Sequence, residues 1–117
     1  MSKETKRLVK DIDVLIEEVD GVRDILLSYK KLSSQLARRV EQGLPLVDAL
    51  EQLQGPLRRR EVTEALEQLE AARHRVRLAF FALGNAEGTS ASELGRKLGV
   101  SRQLASRLAN EASETFG

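Results

Sequence analysis

The sequence predicts an all-α protein, and three observations carry the prediction. Ala, Leu, Glu, Lys, Arg and Gln, the strong helix formers, fill most of the 117 residues, while Pro occurs twice and aromatic residues make up 3%. Apolar residues recur at alternating spacings of four and three over long runs, the period of a helix face. Gly and Pro cluster at a few points, Gly43 to Pro45, Gly55-Pro56 and Gly88, and so divide the chain into helical segments. We expect a coiled-coil-like helix in 1–42, connecting helices in 43–71 and a compact C-terminal unit in 72–117. A chain of this length has room for two small functional units at most.

The first helix is expected from about Lys3 to Glu41. Leu8, Ile12, Leu15, Val19, Val22, Leu26, Tyr29, Leu36 and Val40 form a heptad seam, interrupted only at Ser33. Val9, Ile16, Ile25 and Leu32 widen that stripe, as in a helix that packs against more than one neighbour. Asp20-Gly21 is a local breaker that would suit a hairpin, but the heptad phase runs through it without a skip, which favours one continuous helix. Two roles fit the seam: dimerisation, or one wall of an intramolecular bundle. A seam this long exceeds what the rest of a short chain can cover, so a homodimer is the expectation.

Gly43 suits a helix C-terminus and Pro45 the first turn of the next helix, a short one over Leu46 to Gln54. Gly55-Pro56 then ends that helix. A second long helix is expected from about Leu57 to Ala86, with Val62, Leu66, Leu69, Val76, Phe80 and Leu83 on its apolar seam. Arg58, Arg59 and Arg60 read as a solvated face laced with Glu61 and Glu64, although phosphate contact is the alternative. His74, among arginines, reads as a surface histidine.

Ser90-Ala91-Ser92-Glu93 has the capping-box pattern, in which the Ser90 hydroxyl takes a backbone N–H and Glu93 reaches back. The helix it starts should stop at Gly99, a residue free to take the positive φ of a sharp turn, and restart with Ser101 as N-cap. Leu94, Leu98, Val100, Ala105 and Leu108 would point inward together, with Gly95 small where the two helices cross. Arg102, Gln103, Ser106, Arg107 and Asn110 are left facing outward.

The run TSASELGRKLGVSRQLASRLANEA resembles the helix-turn-helix of bacterial transcription regulators, most nearly that of sigma-factor region 4 and its relatives. Gly95, Gly99, Val100, Ser101 and Arg102 carry the resemblance, which covers roughly residues 72 to 112. Gly95 replaces the more usual Ala, Ala105 is smaller than the usual branched residue, and no wing is expected. The resemblance implies a three-helix unit whose last helix enters the major groove of double-stranded DNA. Ser101, Arg102, Gln103, Ser106 and Arg107 would then meet base edges, since Arg pairs with guanine and Gln with adenine. Thr89, Ser90, Arg96, Lys97 and Asn110 would meet backbone phosphates.

Other function classes are poorly supplied. There is no Cys and a single His, so no thiolate site, disulfide or His-rich metal centre is expected. No nucleophile–base pairing or phosphate-cradling glycine loop points to an enzyme, and no residue is expected to be catalytic. We expect no metal, no cofactor and no small-molecule ligand. Without a signal-peptide core or an apolar stretch of membrane-spanning length, the expected location is cytoplasmic, with no membrane partner. Net charge is only +1, so a nucleic-acid footprint must come from the placement of charge. The competing reading is a coiled-coil protein-interaction or adaptor module that uses the helix-turn-helix as scaffold.

Overall fold

A computed structural model describes residues 1–117 and consists of five helices without strands: α1 (Lys3–Glu41), α2 (Leu46–Gln52), α3 (Gly55–Ala86), α4 (Ala91–Leu98) and α5 (Arg102–Phe116). The all-α expectation is met, long N-terminal helix included. No helix is long and apolar enough to cross a membrane.

Continuity of α1 through Asp20-Gly21 follows from what surrounds the glycine. A Cβ built there meets no atom within 4 Å, so nothing reads the missing side chain, and the helix absorbs Gly as a propensity cost of about 1 kcal/mol. α1 ends where expected: the Gly43 N–H donates to the Val40 carbonyl and the Leu44 N–H to that of Arg39, both at 3.0 Å, with Gly43 at φ 93°. That paired closure satisfies carbonyls the helix would otherwise leave orphaned.

The next boundary differs from the sequence expectation. The break after α2 falls at Leu53-Gln54, with Gln54 at φ 54°, and Gly55-Pro56 opens α3 instead of closing α2. Pro56 lies in the first turn of α3, where a missing N–H costs no intrahelical bond. Pro45 is likewise the N-cap of α2, one residue ahead of its expected place.

The residues sort into two compact units whose bounds differ from the linear division at 42 and 71. Unit 1 joins Met1–Ile16 to Ala71–Gly117, and unit 2 is Glu17–Glu70, so α1 and α3 each contribute to both.

Unit 1 has a closed core. Leu78 and Phe81 of α3 are buried with Ala105, Leu108 and Ala112 of α5, and Leu94, Val100, Leu104, Ala109 and Phe116 pack around them. The α3 seam read from spacing placed Phe80 and Leu83 inward, yet both are only half-buried. Both sides of the segment VRLAFFAL are apolar, and packing of α5 chose Leu78 and Phe81. The start of α1 is tied to this core through Asp11, buried at 6% exposure, which accepts from Arg75 Nε at 3.3 Å. His74 does more than sit at the surface: its Nδ1 accepts from Arg77, which leaves the Nε2–H to donate to Glu111 at 2.8 Å and links α3 to α5.

Unit 2 is open by comparison. Val22, Ala49 and Ala65 are its buried apolar residues. The α1 seam divides within it: Val22 is buried and Leu36 half-buried, with Ile25 and Leu32 beside them, whereas Val19, Leu26, Tyr29 and Val40 stay exposed. Val19, Leu26 and Leu27 line an apolar groove of about 400 Å³ with Val22 and Leu69, and Arg23 and Lys30 border it. Leu46, Val47, Leu57 and Leu66 are exposed as well, Val47 at 65%. Leu8, Ile12 and Leu15, the seam residues of unit 1, are half-buried. Of the triple arginine of α3, Arg59 and Arg60 are exposed, whereas Arg58 is half-buried, with its Nε enclosed and an ion pair to Glu61 at 3.3 Å.

Candidate nucleic-acid interface

The α4–α5 pair is shaped by its caps. Ser90 sits in extended backbone ahead of α4, and its hydroxyl oxygen accepts from the Glu93 N–H at 3.1 Å. The expected return bond from the Glu93 carboxylate is absent, so one half of the capping box forms. Ser101 repeats the arrangement, accepting from the Leu104 N–H at 3.1 Å. Each such cap contributes about 1 kcal/mol.

Between them, Gly99 adopts φ 76°, ψ 24°, a left-handed conformation that costs a side-chain-bearing residue strain. Its N–H donates to Arg96, and the Val100 N–H donates to Gly95 at 2.9 Å. The turn is thereby closed with both bonds of a glycine C-cap and directs α5 across α4. At the crossing, a Cβ on Gly95 would lie 2.5 Å from the Ala105 Cβ, so the two small residues set how closely the helices approach. The sequence reading of Gly95 is met.

The inward set is partly revised. Leu94, Val100, Ala105 and Leu108 take the expected positions, but Leu98 is 38% exposed. Leu104, Ala112 and Phe116 fill the space instead. Leu98 is the last residue of α4, immediately before the Gly99 turn.

The outward set is exposed throughout: Ser101, Arg102, Gln103, Ser106, Arg107 and Asn110 all face solvent. Neither Arg102 nor Arg107 is held in an ion pair. The expected phosphate contacts fall in two groups. Thr89, Ser90 and Asn110 come together on one cleft of about 470 Å³, whereas Arg96 and Lys97, exposed on the last turn of α4, do not line it.

That cleft also contains residues the sequence reading missed. Lys3 and Arg7 of α1 border it, as do Asn85 of α3 and Ser113 and Phe116 of α5. The Arg7 guanidinium stacks over the Phe116 ring, 4.3 Å from its centroid, and Arg75 approaches the same ring at 5.1 Å. One local signal was available: Lys3, Lys6, Arg7 and Lys10 follow the spacing of a single helix face.

Charge, almost even along the sequence, is uneven between the units. Unit 1 carries eleven Lys/Arg against seven Asp/Glu, a net +4; unit 2 carries eight against eleven, a net −3. A near-neutral chain thus contains a basic unit, the one that includes α4 and α5. No protein-family model matches the chain, and no curated protein or solved structure matches it.

Proposed function

We propose that the chain binds double-stranded DNA in a sequence-specific manner as a homodimer and acts as a bacterial transcriptional regulator. The observation that carries this reading is the outward face of α5, where Arg102, Gln103, Ser106 and Arg107 stand exposed on a helix held by the Gly99 turn and the Ser101 cap. In that role α5 is the reader of a helix-turn-helix, with its N-terminal residues at base edges in the major groove. The +4 charge of unit 1 supplies the sequence-independent attraction to phosphate. The exposed apolar face of unit 2 is the dimer surface, and the dimer places two readers on half-sites about 34 Å apart. A DNA partner puts the protein in the bacterial cytoplasm.

The apolar face of unit 2 favours a second reading, a protein-interaction module in which α4 and α5 serve as scaffold. Titration of mixed-sequence duplex into the purified protein over a salt series separates the two. The DNA reading requires affinity that falls steeply with salt and drops when Arg102 and Arg107 become Ala. Absence of binding at low salt excludes it and leaves the interaction module. Selection from randomised duplex then tests specificity, with Arg102→Ala expected to relax the preference at one base position.

A further inference from the structure

We propose that the start of α1 is a second DNA-contacting element, in which Lys3 and Arg7 seat a backbone phosphodiester in the cleft they share with Thr89, Ser90 and Asn110. This inference rests on the DNA reading above and extends it to a helix outside the α4–α5 pair.

Four features of unit 1 lead there. Lys3, Lys6, Arg7 and Lys10 occupy one face of α1, and residues 1–16 belong to the same compact unit as α4 and α5. Lys3 and Arg7 border a concave cleft whose other polar lining includes hydroxyls and amides able to donate to phosphate oxygens, with Glu4 as its acidic residue. Arg7 is prepositioned. Stacking on Phe116 engages the face of the guanidinium and leaves its in-plane N–H donors available, so less side-chain freedom is lost when an anion binds. The second guanidinium at that ring, Arg75, is offset by Asp11, whereas Arg7 is in no ion pair.

The cleft also lies at the right end of α5. Gln103, Ser106, Asn110 and Ser113 fall on one face of the helix, and the last two line the cleft. At 1.5 Å per residue, Arg102 and Ser113 are about 16 Å apart along the axis. A major groove is about 12 Å wide, so a helix with its N-terminal turn at the bases brings its C-terminal turns to the flanking backbone. The sugar–phosphate chain would meet Lys3 and Arg7 there. A free phosphate or nucleotide offers the same oxyanion chemistry, and the cleft volume is in the range of small-ligand sites.

The test compares full-length protein with the Lys3→Gln, Arg7→Lys and Lys3→Gln/Arg7→Gln variants on mixed-sequence duplex, with helix content checked by circular dichroism. Each lost phosphate contact should reduce the slope of log K against log salt by about 0.9, so the double variant should be shallower by about two. Its affinity should fall to a similar extent on every sequence. Lys3→Gln, at an exposed position, should lose one contact, and Arg7→Lys should retain most of the slope. If wild-type protein binds duplex and responds to Arg102→Ala but Lys3→Gln and the double variant match wild type, the inference fails while the DNA reading stands. If wild-type protein does not bind duplex at all, both fail. A titration with inorganic phosphate and with a nucleoside monophosphate, followed by amide shifts at Thr89, Ser90 and Asn110, distinguishes the source. Saturable shifts with the free anion, combined with unchanged duplex affinity in the double variant, would overturn the backbone assignment.

Discussion

Unit 1 closes a core around Leu78, Phe81 and Leu108, though Val9, Val14, Ile16 and Leu98 stay exposed, and it carries a net +4. Unit 2 buries Val22 and two alanines while Leu26, Leu27, Leu46, Val47, Leu57 and Leu66 stay in contact with solvent, and it carries −3. Both are built from stretches of the same two long helices, so helix content does not distinguish them. The difference lies in what covers the apolar stripe. In unit 1, α5 folds back over α3 and supplies the missing layer; in unit 2, the short α2 buries one alanine, Ala49, and most of the stripe remains open. Within it, Val19, Leu26 and Leu27 share one apolar groove with Val22 and Leu69. The two regions therefore differ in both charge and apolar exposure, a basic unit with a closed core beside an acidic one with an open apolar stripe.

The largest expected effect strikes the closed core. Phe81→Ala should cost unit 1 about 3–5 kcal/mol, enough to unfold it in a urea titration followed by circular dichroism. Duplex binding should disappear, while sedimentation should still report self-association through unit 2. Loss of association in the same variant would show that the two regions do not act separately.

Next in size is a change to the open face. Leu26→Glu with Leu27→Glu alters two side chains that are 43% and 59% exposed, so a partner buries only part of each, and with both lost twice in a two-fold interface the cost to association is about 3 kcal/mol. The dimer dissociation constant should rise at least about a hundredfold in analytical ultracentrifugation, with the chain still helical. Unchanged sedimentation would remove this face as the interface. On the proposed dimeric DNA reading, duplex affinity should weaken in parallel, since two readers would no longer bind together.

A smaller effect tests how tightly unit 1 is closed. Gly95→Ala forces a Cβ against Ala105 and should destabilise by about 1–3 kcal/mol, read as a lower melting temperature. Adding Ala105→Gly should recover part of the loss, because the clash is between those two positions. No such coupling is expected at Gly21 in unit 2, where the space is empty. Gly21→Ala should raise stability by about 0.5–1 kcal/mol, the smallest change of the four and opposite in sign. A fall in melting temperature there would mean that α1 needs its glycine.

Local features were legible. Ser90, Gly99 and Ser101 act within one helical turn of themselves, so residue type alone located the caps and the turn. The unbroken heptad phase from Leu8 to Val40 anticipated one helix across Asp20-Gly21. Where local signals competed, the reading slipped by a residue or two, as at Gln54 ahead of Gly55-Pro56. Faces were harder than elements: α3 is apolar on two sides near Phe80 and Phe81, and periodicity could not say which side α5 would choose.

Contacts between distant segments had no local signature. Asp11 meets Arg75, Arg7 meets Phe116 and His74 meets Glu111, each pair far apart in sequence. The first two contacts draw the first sixteen residues into unit 1, and with them the charge that is balanced along the chain becomes unbalanced in space. By itself the sequence determined the helices, their caps and the outward face of α5, because propensity, capping and periodicity act over a few residues. Tertiary structure decided which apolar faces closed, which stayed open and which cations lined the cleft with Thr89 and Asn110, because burial depends on what the rest of the chain can bring within contact distance.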